Sequence, residues 1–217
     1  MSAATRIIAV RHGETAWNVE TRIQGQLDID LNSRGRWQAE RVAHALADEA
    51  IDAIYASDLL RAKTTALAIA ALTQLPAARE VRLHQGLRER GFGVFEGLTY
   101  TQISNDWPQE SQRWRQRDPD FAPEGGESLV QLRQRVAETL HTLASRHLGE
   151  QVLLVAHGGI MDALYRLATQ QDISSPRTWE LGNAAINRLL WTPESLTLVG
   201  WADVRHLDDS TMDEISA

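Results

Sequence analysis

Cysteine is absent from this chain of 217 residues. Disulfides, thiolate nucleophiles and thiolate zinc sites are thereby excluded, and a reducing compartment is permitted. Lysine is nearly absent as well: Lys63 is the single one, so positive charge is otherwise carried by arginine. Basic residues are also outnumbered, 22 against 29 acidic ones, for a formal net charge of −7. That balance argues against nucleic acid as a partner, since proteins that bind it carry a basic face. It leaves room for a phosphorylated small molecule, because a few arginines converging in a cleft make a local positive potential whatever the total charge. Long apolar runs are missing too. None approaches the ~20 residues that span a bilayer, and the N-terminal residues lead into the first apolar segment without the basic stretch and apolar core of a secretion signal. The expectation is a soluble, cytoplasmic protein with no membrane partner.

What is present is 43% hydrophobic residue, enough in a chain of this length for a sizeable core, most simply in one domain. Two short apolar runs share an ending. Ile7-Ile8-Ala9-Val10 leads into Arg11-His12-Gly13-Glu14-Thr15, and Val152-Leu153-Leu154-Val155-Ala156 leads into His157-Gly158-Gly159. Each reads as a strand that ends in His-Gly. In open α/β sheets ligands collect outside the carboxyl ends of the strands, where the turn into a helix offers free backbone N–H groups to an anion. A glycine there lets the backbone approach a phosphate closely.

Between and around these runs the pattern alternates. Helices are expected over about 36–50, with Ser33 as the N-cap, over about 62–72, capped by Asp58, over about 129–147 and over 160–168. Further strands are expected at 53–56, near 80–83, at 185–191 and at 196–201, the last two as a hairpin at one end of the sheet. Residues 87–93 form a glycine-marked loop. Residues 99–125 are polar, carry Trp107, Trp114 and alternating arginines, and read as an inserted helical lid. Residues 203–217 are acidic and poor in apolar residues, which predicts a frayed tail. The order favours a three-layer α/β/α sandwich on a mostly parallel sheet.

Several segments taken together resemble the histidine phosphatase superfamily, also called phosphoglycerate mutase-like. They are Arg11-His12-Gly13-Glu14-Thr15, Trp17-Asn18, Gln24-Gly25, Ser57-Asp58-Leu59 with Arg61-Ala62 and Thr65-Ala66, Leu87-Arg88-Glu89, Phe95-Glu96-Gly97, Gly126-Glu127-Ser128 and His157-Gly158-Gly159. The resemblance spans nearly the whole chain. It implies a single domain acting on a small-molecule phosphomonoester, as a monomer or homodimer, without metal or cofactor. It implies that His12 is the nucleophile and forms a phosphohistidine that water hydrolyses. Physical demands agree: an imidazole attacks only when neutral, and an ordinary pKa of about 6.5 makes that form abundant at pH 7. Its other ring nitrogen must be held, and a backbone carbonyl near Gly13 suits.

Arg11 and Arg61 fit the equatorial oxygens of the transferred group, which planar guanidinium groups bind in bidentate fashion. His157 would complete the cage as an N–H donor. Asn18, Gln24, Gly25 and Gly158 correspond to positions that line the phosphoryl pocket. Glu89 resembles the family's acid, the proton donor that a strongly basic leaving alkoxide needs. A carboxyl beside a bound phosphate dianion holds its proton more readily, which suits that task.

Simpler readings exist for each residue. His12 and His157 as structural histidines at strand ends, Arg61 as a surface helix residue, and Glu96 or Glu14 in place of Glu89 are the alternatives. Metal ligation at His12 is opposed by the cationic Arg11 beside it and by the lack of a nearby carboxylate set. Trp107 and Trp114 are expected to pack the lid onto the body, and Arg113, Arg115 and Arg117 to form a solvated face rather than a second anion site. His44, His84, His141, His147 and His206 receive no role.

Family mutases typically have Thr-Gly-Trp where this chain has Gln24-Gly25-Gln26, His-Tyr-Gly where it has Gly91-Phe92-Gly93, and His-Gly-Asn where it has His157-Gly158-Gly159. These departures, with a short segment between Gly97 and Gly125, favour hydrolysis over a bisphosphoglycerate-dependent mutase, which must exclude water from its phosphoenzyme. A non-catalytic phosphate-binding protein is the third reading. Loss of His12 or an arginine would mark it, and both are kept.

Overall fold

The computed structural model describes residues 4–208, apart from the side chain of residue 77. Strands β1 (Thr5–Arg11), β2 (Ala53–Ala56), β3 (Val81–Leu83), β4 (Gln151–Ala156), β5 (Ile186–Thr192) and β6 (Ser195–Asp203) form one sheet in the order β3-β2-β4-β1-β5-β6. The first four strands of that order are mutually parallel. β5 runs antiparallel to β1 and forms the expected hairpin with β6 at the sheet's end.

The apolar runs in β1, β2 and β4 are continuous because both faces of these strands are covered. Successive side chains go to opposite faces. Ile7 and Ala9 of β1, Tyr55 of β2 and Val152 and Leu154 of β4 join one core, with Leu132, Val136, Leu140, Ile160 and Leu164. Those partners lie on helices α6 (Leu129–Ala144) and α7 (Gly158–Thr169). Ile8 and Val10, Ile54, and Leu153 and Val155 join the other core, with Val42, Ala62, Ala66 and Ile69 from helices α2 (Ser33–Ala45) and α3 (Leu60–Leu72). The result is the three-layer α/β/α sandwich. Truncating a fully buried side chain such as Ile54 to alanine costs about 2–5 kcal/mol at such a position.

Two capping expectations fail locally. Asn32, not Ser33, caps α2, accepting from the Gly35 amide at 2.7 Å, because the helix begins one residue beyond Asn32. α3 has no side-chain cap at all. Asp58 instead accepts two donors of the Arg88 guanidinium side-on, Nε at 2.7 Å and Nη2 at 2.6 Å, since a bidentate ion pair outcompetes a single N–H bond. α2 also ends earlier than its apolar periodicity suggests: Leu46 closes it, and residues 47–52 turn to deliver β2.

The tail expectation is corrected over its first residues. Asp203 belongs to β6, and residues 205–207 form a 3-10 turn fastened where Arg41 donates to the His206 carbonyl (2.7 Å) and the His206 ring donates to the Ala184 carbonyl (3.0 Å). Residues 209–217 lie outside the described residues. Helix α1 (Ala16–Val19) follows the first His-Gly turn. Helices α4 (Tyr100–Asp106) and α5 (Pro108–Arg115) hold a third apolar cluster of Ile23, Phe95, Ile103 and Phe121, against which Trp107 and Trp114 pack. Among the described residues no helix is long and apolar enough to cross a membrane.

Candidate functional site

Arg11 and Ala156 are register partners at the carboxyl ends of adjacent parallel strands, so the residues that follow, His12 and His157, leave the sheet side by side. The His12 amide donates to the Ala156 carbonyl at 3.0 Å. The two imidazole rings sit 5.1 Å apart, centroid to centroid, and both are buried. His12 and Gly158, the residue after His157, line a cavity of about 660 Å³ that opens where the strands end.

Gly13 permits this turn. A Cβ there would stand 2.3 Å from the Gly35 carbonyl oxygen, a backbone atom that cannot yield. The Gly13 amide donates to Thr65 Oγ1 (3.1 Å), which ties the loop to α3. The Gly13 carbonyl lies 2.7 Å from His12 Nδ1. A carbonyl only accepts, so Nδ1 carries the proton and Nε2 keeps its lone pair. Burial pushes the His12 pKa well below its usual range, and the charges of Arg61 and Arg11 push the same way against the Gly13 carbonyl. The ring is neutral at pH 7, as a nucleophile requires. His157 is pushed down in the same sense by burial, then by Arg61, His12 and Arg11.

Arg61, at the start of α3, is almost fully buried and is held by two carbonyls: Nη1 donates to Leu27 and Nη2 to Gly25, each at 2.8 Å. Burial draws its pKa down to about 10, opposed by Glu89, which still leaves it charged at pH 7. Gly25 therefore lines the cavity and spends its carbonyl on Arg61. Arg11 is aimed by a bond to the Leu181 carbonyl. The Nε atoms of Arg11 and Arg61, both ring nitrogens of His157 and Oε1 of Gln24 are buried without a partner among the described residues. Leaving such groups unpaired costs ~1–3 kcal/mol each, and more for charged ones. Of these, the Nε–H groups of Arg11 and Arg61 and the one ring N–H of His157 are donors that together make a preorganised anion receptor, whereas Gln24 Oε1 is an acceptor.

Thr15 caps α1 in a reciprocal box with Asn18, whose Oδ1 accepts from the Thr15 amide (3.0 Å) and hydroxyl (3.1 Å). Only the Nδ2 of Asn18 remains for a phosphoryl oxygen. Gly158 starts α7 and lines the cavity, with Arg11 at 3.6 Å from where its Cβ would stand. Glu89 lies across from it. Its carboxylate accepts from the Gly159 amide at 3.0 and 3.2 Å and from the Arg90 amide at 2.8 Å. A Cβ on Gly159 would approach Glu89 Oε1 to 2.3 Å, so the second glycine of His-Gly-Gly makes room for that carboxylate. Of the alternatives, Glu96 accepts from the Gln26 (3.0 Å) and Phe92 (2.9 Å) amides, and Glu14 from Asn32, so both are structural holders.

The fold adds residues that the motifs do not reveal. Arg135 of α6 donates to the Gly86 and Arg88 carbonyls (2.8 and 2.9 Å) and pairs with Glu127, fixing the loop that presents Glu89. Tyr100, Trp114, Arg115, Arg117, Asp162 and Arg177 complete the cavity wall. Trp114 thus packs and lines at once, stacked on Tyr100 at 5.1 Å. Arg117 is no solvated-face residue, because it pairs with Asp162 across the site at 2.9 Å, while Arg113 pairs locally with Asp118. His147, though unassigned from the sequence, is buried between Tyr55 Oη (2.8 Å) and Glu150 (2.6 Å), away from the cavity lining.

Comparison with known proteins agrees with this geometry. Residues 7–204 match the family model described as histidine phosphatase superfamily (branch 1). The chain is 39% identical to phosphoglycerate mutase-like protein 4 of Arabidopsis thaliana over 94% of its length and 87% of that protein's. It is 38% identical to a metal-independent phosphoserine phosphatase of the same plant, over 95% of this chain and 84% of that one. Among solved structures, a mycobacterial glucosyl-3-phosphoglycerate phosphatase superposes with a TM-score of 0.81 at 36% identity, covering 92% of this chain and 99% of that one.

Proposed function

Because the chain belongs to branch 1 of the histidine phosphatase superfamily and is a small-metabolite phosphomonoesterase of that family, we propose that it works through a phosphohistidine on His12, without metal. The observation that carries this reading is the pair of buried, neutral imidazoles between two arginines whose Nε donors have no partner among the described residues.

His12 Nε2 attacks phosphorus in line, and the P–O bond to the leaving group breaks. Arg11, Arg61 and Asn18 Nδ2 bind the equatorial oxygens as charge spreads onto them. His157 donates a hydrogen bond to the same group once the dianion favours its charged form. Glu89, anchored by two backbone amides, gives its proton to the leaving alkoxide. It then takes one from the water that attacks the phosphohistidine, which returns His12 and orthophosphate. Residues 99–125 serve as the lid of a single domain, and every residue of the cage comes from one chain, so a monomer or a homodimer is competent. A cytoplasmic location fits a chain without cysteine.

The test is incubation, without added metal, with a phosphomonoester panel and with 3-phosphoglycerate, the latter with and without 2,3-bisphosphoglycerate. Orthophosphate and 2-phosphoglycerate are both followed. Orthophosphate release that is abolished in His12→Gln is the expected result. Fast bisphosphoglycerate-dependent isomerisation with little orthophosphate would instead establish a mutase.

A further inference from the structure

His12 is followed by a glycine, and a glycine leaves the peptide that joins the two free to rotate at little cost. The next carbonyl along, that of Gly13, is the one that accepts from His12 Nδ1 and sets which ring nitrogen is free to attack. The nucleophile therefore needs this peptide fixed from outside the cage. It is gripped at both ends. Its N–H, on Gly13, donates to Thr65 Oγ1 (3.1 Å), and its carbonyl, on His12, accepts from Asn183 Nδ2 (2.9 Å).

The sheet brings Asn183 there. β5 runs antiparallel to β1 with Ile186 opposite Val10, so the chain entering β5 passes the carboxyl end of β1 just before it pairs. On that passage Ala184 is buried in the left-handed conformation (φ 59°), which a residue with a Cβ adopts only at a cost. Its amide donates to the Arg11 (2.9 Å) and His12 (3.3 Å) carbonyls, and the His206 ring donates to its own carbonyl at 3.0 Å. Backbone strain held by surrounding bonds collects where a site needs a fixed geometry. Here it delivers the Asn183 side chain to the back of His12.

The same Nδ2 lies 3.4 Å from Asn18 Oδ1. The Thr15 amide, which only donates, identifies that atom of Asn18 as the oxygen. Asn183 adds a further donor to it and keeps the Asn18 amide turned one way, with Nδ2 left for the cavity that Asn18 lines. Two hydrogens of one side-chain amide thus reach both the nucleophile's backbone and a phosphoryl-binding side chain.

We infer that Asn183 is a positioning residue for phosphoryl transfer, holding the His12 peptide and the Asn18 amide in register with one side chain. It acts through those two groups and takes no part in the bond changes. The inference rests on the His12 reading above.

The test is a double-mutant cycle on kcat/KM for p-nitrophenyl phosphate. Asn183→Ala and the isosteric Asn183→Asp, whose carboxylate only accepts, are each made with Asn18 intact and with Asn18→Ala, and rates are normalised to the folded fraction seen by circular dichroism. With Asn18 intact each substitution should lower kcat/KM roughly 10-fold, chiefly in kcat, the net worth of a hydrogen bond expressed as a rate. In the Asn18→Ala background the loss should shrink to roughly 3-fold, because one of the two groups that Asn183 holds is gone. A merely structural role would lose the same factor in both backgrounds.

Unchanged kcat/KM in both variants, or an equal loss with and without Asn18, overturns the inference. Should neither variant fold, the wild type decides. The Asn183 side-chain amide, followed by nuclear magnetic resonance, should exchange with solvent more slowly than that of the exposed Asn105, and equal exchange overturns the inference. Should the wild type leave every ester intact, the phosphatase reading fails instead. Calorimetric binding of orthophosphate then decides the positioning alone: roughly 10-fold weaker binding in Asn183→Ala supports it, and equal affinities overturn it.

Discussion

Two imidazoles held neutral by burial make the stability of this protein depend on pH in a defined direction. The folded-state pKa values of His12 and His157 lie well below 6.5, chiefly through burial and then through the neighbouring arginines. Well above pH 6.5 neither folded nor unfolded chain binds a proton at these sites, and they contribute no pH dependence. As pH falls below 6.5 the unfolded chain takes up both protons and the folded chain does not, so stability is lost. Each histidine contributes a slope of about 1.4 kcal/mol per pH unit, about 2.7 for the pair. Over the first pH unit below 6.5, where the unfolded imidazoles pass from half to nine-tenths charged while the folded pair stays neutral, that amounts to roughly 2 kcal/mol, a substantial part of the 5–15 typical of a domain.

Urea unfolding between pH 8 and 5, compared with a His12→Gln/His157→Gln variant, isolates the effect, since other acid-titrating groups are common to both. The wild type should lose stability faster than the variant below pH 6.5 and run parallel to it above. Saturating orthophosphate should flatten the wild-type slope, because a bound dianion favours the charged rings. Parallel curves across the whole range would refute the claim that burial keeps this pair neutral.

Replacing Glu89 by Gln should slow alkyl phosphate hydrolysis by roughly 10²–10⁴-fold and p-nitrophenyl phosphate far less, because p-nitrophenolate leaves without a proton. Equal losses would remove Glu89 from the donor role. Arg61→Lys should be nearly as inactive as Arg61→Ala, since an ammonium cannot hold the Leu27 and Gly25 carbonyls and bind phosphate at once. Steady-state kinetics of both variants checks this, with a Lys variant near wild type counting against it. Gly159→Ala should displace the Glu89 carboxylate, whose oxygen stands 2.3 Å from the new Cβ. Its leaving-group dependence should therefore copy that of Glu89→Gln rather than that of an arginine variant.

The layered fold was largely legible in the sequence because apolar runs at Ile7–Val10 and Val152–Ala156 have one interpretation, strands covered on both faces. Element ends were less so. Whether Asp58 caps a helix or pairs with Arg88 depends on a residue 30 positions away, which no local pattern contains.

The cage of His12, His157, Arg11 and Arg61 was legible for a related reason. His12, Arg11 and His157 follow from strand ends, so their types and places are local facts, and the Arg61 motif sits at a helix start. Local sequence determined which groups stand at the strand ends beside the cavity, since strand, turn and glycine are each set by neighbouring residues. Only the tertiary structure decided what surrounds them. The neutrality of the imidazoles comes from burial, the hold on Glu89 from the Gly159 amide and Arg135, and the rest of the cavity wall from residues such as Tyr100, Arg117 and Asp162. Those are contacts between residues far apart in the chain, and burial and Coulomb interaction act through space, not along the chain.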